Sequence, residues 1–555
     1  MRAHLKGLTL SAAILMAGQA QAQDLLLHGG PIYTGEARVE ALAVKDGKVV
    51  FAGSLDQARA AAPGAKDIDL RGAAAFPGFV DAHAHLSGVG FREMTLSLEG
   101  TSSIEELVSR LRAWAAAHPG SDPISGRGWI ETHWPEKRFP SAADLDRAVP
   151  DRPVVLTRAD GHALVANSKM LQLAGVAAET AAPSGGQILK DATGRPTGML
   201  IDNAMDLVRA KLPPPTPAAR AEAVKRGAEL YAARGWTGLH NMSVSAEEVT
   251  DQQALAAKGE LPIRIDNYLA PDAAADVLAK GPSQDATGLV RVRGVKMYMD
   301  GALGSRGAAL LAPYSDAEGT GLIVTPRNEI DAALAKARAS GAQVAIHAIG
   351  DRGNRIVLDA YQQAFAADLP GLKAARWRVE HAQVLAPEDL PRFAQLGVVA
   401  SMQPSHAIGD LFFAPARLGP QRLKGAYAWE SLLKTGAVIA GGSDAPVEKG
   451  DPLVEFYAAA YRHDLKGYAG ADWSLDEAVT RAQALAMFTS GPAYAAFREN
   501  ELGKLAPGRP ADISVFSVDL MTAPFEAIAK AHAVMTIVGG EVVYRAADKP
   551  STAGP

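Results

Sequence analysis

Two histidines separated by one residue close an apolar run, Pro77-Gly78-Phe79-Val80-Asp81-Ala82-His83-Ala84-His85. In an extended strand residues i and i+2 share a face, so both imidazoles project the same way and can approach one ion. Two further apolar runs each end in a histidine, Val344-Ala345-Ile346-His347 and Arg378-Val379-Glu380-His381. A fourth, Val438-Ile439-Ala440-Gly441-Gly442-Ser443-Asp444, is followed by a carboxylate. Such a carboxylate can bind a metal and accept a proton from the water that the metal activates. Any one of these histidines alone is more often structural; the five residues together predict a hydrolytic site for one or two divalent ions, zinc or a related metal. The chain contains no Cys, which excludes thiolate ligands, a lipidated N-terminal cysteine and a disulfide framework.

Residues so far apart in sequence need a scaffold that gathers strand ends. Eight apolar segments alternate with stretches of helical period: 75–83, 236–241, 262–268, 291–300, 343–347, 377–381, 398–402 and 437–441. Eight such strands with intervening helices predict an α/β fold, a (β/α)₈ TIM barrel, whose reactive residues sit at the C-terminal strand ends. All five candidate ligands fall there. Short strand-like pieces with glycine turns occur near both termini, including 25–28, 41–45, 48–52, 511–517 and a hairpin over 534–544 turning at Gly539-Gly540. These predict a small β-sandwich domain made from residues 23–74 and 500–555. The barrel is then assigned to 75–86 and 234–499, and 87–233, far too long for one connection, to an inserted α/β domain that shapes the substrate pocket.

Fifty-six Lys plus Arg against 61 Asp plus Glu give a net charge of −5. That balance offers no basic field for nucleic acid or an anionic membrane, and points to a small-molecule substrate. Residues 1–22 combine Arg2 and Lys6, an apolar run from Leu8 to Gly18 and Ala20-Gln21-Ala22. This predicts a cleaved signal peptide, hence a periplasmic or secreted protein with no membrane span after cleavage. Homo-oligomerisation is compatible with the sequence. Two other classes compete. Ser431-Leu432-Leu433-Lys434 matches the Ser-x-x-Lys pattern of serine acyl hydrolases, without the partner motifs of that class. A periplasmic binding protein would share the export signal but has no use for five strand-end ligands.

The ordered set formed by Pro77 to His85, Lys296-Met297-Tyr298-Met299-Asp300-Gly301-Ala302-Leu303-Gly304-Ser305-Arg306, His347-Ala348-Ile349-Gly350-Asp351, Glu380-His381-Ala382-Gln383 and Gly442-Ser443-Asp444 resembles the amidohydrolase superfamily. The likeness is to its YtcJ-like, amidohydrolase-3 branch, which includes N-substituted formamide deformylase, and runs from about Asp24 to Tyr544. The resemblance implies that His83 and His85 bind one metal, His347 and His381 a second, and that Asp444 completes the first site and shuttles protons. It further implies a carboxylated Lys296 bridging two ions; the alternative is a Lys296–Asp300 pair. The expected activity is hydrolysis of a C–N bond, amide or formamide. Cyclic imide, lactone or carbamate cleavage, or deamination, on the same site is the nearest alternative. Trp129, His162, Ser305, Arg306, Gln403 and His406 are candidate substrate contacts at the barrel mouth.

Overall fold

The computed structural model describes residues 23–366, 368–470 and 473–547, so the proposed signal peptide lies outside the described residues. The barrel strands are β1 (Phe79–Ala84), β2 (Trp236–Val244), β3 (Arg264–Leu269), β4 (Val290–Tyr298), β5 (Gln343–Ala348), β6 (Arg378–His381), β7 (Val399–Met402) and β8 (Ile439–Gly441). They pair in parallel in sequence order from β1 to β8. β5, β6, β7 and β8 are buried on both faces, as expected of strands covered outside by helices and filled inside by side chains. The ring closes just past the end of β8. There the Asp444 N–H donates to the His83 carbonyl at 2.7 Å, and Ala445 bridges Ala84 in parallel. Asp81 secures the seam: its carboxylate accepts from the backbone N–H (2.9 Å) and hydroxyl (2.5 Å) of Ser443 and from the Tyr231 hydroxyl (2.9 Å).

The sequence predicts one strand over 75–83; two form. Ala74–Pro77 joins a six-stranded sheet between Ile513–Phe516 and Ile32–Tyr33, whereas Phe79–Ala84 enters the barrel. Gly78 makes the transfer. A Cβ there would stand 2.3 Å from the Thr237 hydroxyl, so only glycine lets the chain pass this close to β2. The second terminal sheet is four-stranded, and Leu27, Val44, Ile68, Ile513 and Ile537 fill a core common to both sheets. This is a β-sandwich built from both ends of the chain. Its hairpin turns at Gly539 and Gly540 (φ 56° and 81°), the positive pair that a two-residue turn demands.

Between β1 and β2 a third, six-stranded sheet runs in the order Gly186–Lys190, Pro196–Asp202, Ala163–Ala166, Val154–Arg158, Ile124–Trp129 and Leu96–Ser97. With the helix Ile104–Ala117 it encloses its own core around Leu107, Leu111, Trp129 and Leu156. Loops from this part overhang the C-terminal ends of the barrel strands. Among the described residues no helix is long and apolar enough to cross a membrane.

Candidate metal centre

His83 lies near the C-terminal end of β1, and its other ring nitrogen is already engaged: Nδ1 stands 2.6 Å from Glu380 Oε2. Glu380 is held in turn by the buried Arg378 at 2.7 and 3.0 Å. His85 donates Nδ1–H to the Met242 carbonyl at 3.0 Å, and His381 donates to Gln403 Oε1 at 2.7 Å. In each case the contact at Nδ1 leaves the Nε2 lone pair to face inward, as in metal-binding histidines fixed by an outer hydrogen bond. Nε2 of His83 and of His85 lie 3.4 and 3.2 Å from Asp444 Oδ1. Burial, reinforced by neighbouring cations, holds His83, His347 and His381 well below the usual imidazole range, so these rings are neutral donors. Burial opposes ionisation of Asp444, but the positive charge that His83 and His85 carry when protonated, and that a bound cation would supply in their place, outweighs it and holds the group below the usual carboxylate range. His381 and Asp444 both adopt positive φ (72° and 57°), costly for non-glycine residues and characteristic of functional sites.

Two sets of donor atoms lie within 4.8 Å of one another: His83, His85 and Asp444, and His381, His406 and Asp444. Neutral imidazoles plus one carboxylate fit a divalent ion of the zinc type. His347 belongs to neither set. Its ring centroid is 4.6 Å from that of His381, and its Nε2 is 3.4 Å from the Gly301 carbonyl. Lys296 is almost fully buried, with Nζ 3.3 Å from His83 Nε2 and 4.7 Å from the Tyr298 ring centroid. It does not pair with Asp300. That carboxylate accepts three backbone N–H groups instead, from Ala309, Ile349 and Gly350 at 2.8–2.9 Å, and burial raises it to about 7.

These residues floor a cavity of about 400 Å³ walled by Arg127, Asp160, His162, Asp202 and Arg209 of the insert. A smaller chamber continues past His406, Asp410 and Glu448 and shares His162, His347, His381 and Asp444 with the first. His162 faces His347 at 5.0 Å between centroids, and Asp202 Oδ1 lies 2.6 Å from His162 Nδ1. Burial lowers the His162 imidazole, but Asp202 and Asp160 more than compensate, raising it overall. His406 is buried beside this centre, with Nε2 3.6 Å from Asp444 Oδ2 and without a hydrogen-bond partner at that nitrogen among the described residues.

Four other candidate contacts stand elsewhere. A bulge at Gly128 (φ 102°) shifts the register between Arg127 and Trp129, so Trp129 turns into the core of the insert and donates to the Leu156 carbonyl at 2.9 Å. Arg127, which the sequence reading passed over, faces the cavity instead; the Gly-x-Gly before Trp129 is the signal that could have marked it. Arg306 pairs with Asp316 at 2.9 Å, and Ser305 caps the Ala302 carbonyl; neither lines the cavity. Gln403 acts through His381. Ser431 donates to Glu477, and Lys434 is an exposed partner of Glu430, so the Ser-x-x-Lys motif is a helix surface feature.

Comparison with known proteins agrees with this geometry. The profile of the Amidohydrolase family matches residues 66–544. The chain is 34% identical to the amidohydrolase YtcJ of Bacillus subtilis over 529 residues, 93% of this chain and 98% of that protein. It is 28% identical to N-substituted formamide deformylase of Arthrobacter pascens over 550 residues, 94% and 99% of the two chains. Protein LONG AFTER FAR-RED 3 of Arabidopsis thaliana is 33% identical over 564 residues, 97% and 94%. A solved structure, a metal-dependent hydrolase from Pyrococcus horikoshii, superposes with a TM-score of 0.74 at 29% identity, covering 91% of this chain and 99% of its own. The barrel, its strand-end donors and these matches together make the chain a member of the amidohydrolase family.

Proposed function

We propose that this protein hydrolyses a C–N bond of a small amide or formamide with one or two divalent ions held by His83, His85, His347, His381 and Asp444. The observation that carries the reading is the set of outward-anchored imidazoles around one ionised carboxylate. A divalent ion bound there supplies Lewis-acid chemistry, lowering the pKa of water and polarising a carbonyl. Asp444 takes the proton released as the water oxygen bonds to the carbonyl carbon. The same carboxyl group then delivers that proton to the nitrogen as the C–N bond breaks, so no covalent acyl-enzyme is required. The buried Lys296, next to His83 and without an ion pair among the described residues, is positioned for carboxylation, which would turn a cation into an anionic ligand. His162, oriented by Asp202, faces the reacting region from the insert.

The similarity to a formamide deformylase supports amide-type substrates over imides, lactones or carbamates. The test is to count metals per chain by plasma mass spectrometry before and after chelation, beside a panel of N-acyl and N-formyl amines, imides, lactones and carbamates. One to two ions per chain, with amide turnover lost on chelation and restored with metal, is the expected result. Turnover indifferent to chelation would overturn it. Export through residues 1–22 belongs to the same proposal; mass spectrometry of protein from the cell envelope fraction, starting at residue 21 or 23, is the corresponding outcome.

A further inference from the structure

One cation on the cavity wall, Arg127, forms no ion pair among the described residues. Arg127 stands on the bulge before Trp129 and lines the cavity from the insert. One terminal nitrogen donates to the Ala159 carbonyl at 3.0 Å, which fixes the guanidinium in place, while Nε is shut off from solvent and has no partner among the described residues. Arg209, the last residue of the short helix Asp206–Arg209, lines the same cavity. Arg127 has no ion pair with a described carboxylate, whereas Arg209 is exposed and is favoured as a cation by Asp206 of its own helix and by Asp202. Buried polar nitrogens are nearly always satisfied, and a guanidinium in a recess without a counter-ion is costly unless something arrives to pair with it.

The carboxylates nearby are already engaged. Glu99 lies 3.5 Å from Arg92, and Asp160 accepts from Arg158 at 2.5 Å and from the His162 N–H at 3.1 Å. Asp202 meets His162 through Oδ1, with Oδ2 buried against the loop after β4 and unpartnered among the described residues; Asp300 is held by three backbone N–H groups, and Asp444 belongs to the metal residues. Asp206, three residues before Arg209 and exposed like it, lines the cavity as the nearest opposite charge to Arg209, which leaves Arg127 as the cation without one. In the adjoining chamber, burial pushes Asp410 upward and Glu448 up to about 7, toward the neutral form. Burial and the nearby Arg92 lower Arg127 only to about 10, so it remains a cation at neutral pH.

We propose that the substrate of this site bears a free carboxylate, with Arg127 as its principal anchor and Arg209 as a second cation, while its amide lies over the metal residues. The inference rests on the hydrolase reading and names its substrate class: amides of the N-acyl amino acid type rather than neutral N-alkyl amides. A planar guanidinium matches a carboxylate through two parallel N–H···O bonds, which a neutral carboxamide of the same shape cannot reproduce.

Two measurements separate this proposal from the reading beneath it. In the first, metal-loaded full-length protein is assayed with N-acetylphenylalanine against N-acetylphenylalaninamide. In parallel, N-benzylsuccinamic acid is assayed against its carboxamide, so that the carboxylate sits on the amine side in one pair and on the acyl side in the other. The carboxylate of at least one pair should be favoured by about tenfold or more in kcat/KM, mainly through KM. Arg127→Gln should collapse that ratio toward one, and Arg127→Lys should restore part of it. In the second, the same pairs are titrated calorimetrically into metal-stripped protein, where no metal can hold the carboxylate. The preference should persist in wild type and vanish in Arg127→Gln/Arg209→Gln, with thermal unfolding verifying that the variants fold. Preference in binding without turnover of any amide would leave the anion site standing and overturn the hydrolase reading. Amide turnover with no carboxylate preference in either measurement, or a preference unaltered in the double variant, would overturn the proposal.

Discussion

At the scale of single residues, what distinguishes the candidate ligands is less their identity than what holds their far side. Glu380 anchors His83 through Nδ1 and is itself fixed by Arg378. Glu380→Gln should therefore lower metal affinity and turnover by about 10–100-fold although it touches no ion, read as metal retained through dialysis. The His162–Asp202 pair has a pH signature. His162 is raised above its usual 6.5, so the pair contributes its full stability below about pH 6.5 and loses it as pH rises through the raised pKa. The Tm difference between wild type and Asp202→Asn should accordingly be larger at pH 6 than at pH 9. An equal difference at both would remove the charge from the explanation.

At the scale of elements, the decisive feature is how the barrel seam is tied. Asp81 collects donors from β1, the loop after β8 and Tyr231, and is fully buried. Asp81→Ala leaves those donors unsatisfied beside His83 and Asp444, and should cost about 3 kcal/mol by urea unfolding. Gly301 illustrates the same constraint on the loop after β4. A Cβ there would stand 2.5 Å from Asp202 Oδ2, so Gly301→Ala should displace Asp202, release His162 and reduce kcat more than it reduces Tm.

At the scale of the molecule, the terminal sandwich is clasped to the barrel by Arg264 of β3 and Asp512, paired through two hydrogen bonds at 2.7 and 3.1 Å. Asp512 also accepts from the Gly539 N–H at 2.7 Å. Asp512→Asn breaks a buried charge pair from one side and should destabilise by about 3 kcal/mol, measured by thermal unfolding, with the metal content of the folded protein unchanged. Metal removal acts on the whole chain in a different way. Ions that bind only the folded state add about 4 kcal/mol at a thousandfold excess over Kd, so chelation should lower Tm and metal should restore it.

The sequence alone determined the strands and the residues at their ends. Apolar β-branched runs that stop at His83, His347, His381 and just before Asp444 carry both the period of a parallel barrel and the chemistry of its rim, because in that fold the C-terminal strand ends are the only place where such residues meet. The small β-sandwich from both termini was legible for a similar reason, since glycine turns between short apolar runs are local signals. What lay beyond local pattern was decided by tertiary structure. The break at Gly78 depends on Thr237, 159 positions away, and on a sheet completed by the C-terminus. The alternation rule places Arg127 and Trp129 on one face; one bulge reverses that, sending the tryptophan inward and the arginine to the cavity. Glu380 falls inside a motif, yet its hold on His83 is not legible there, and Asp202 and Arg209 carry no motif at all, because their roles come from what packs across from them, and distance along a chain does not encode proximity in space.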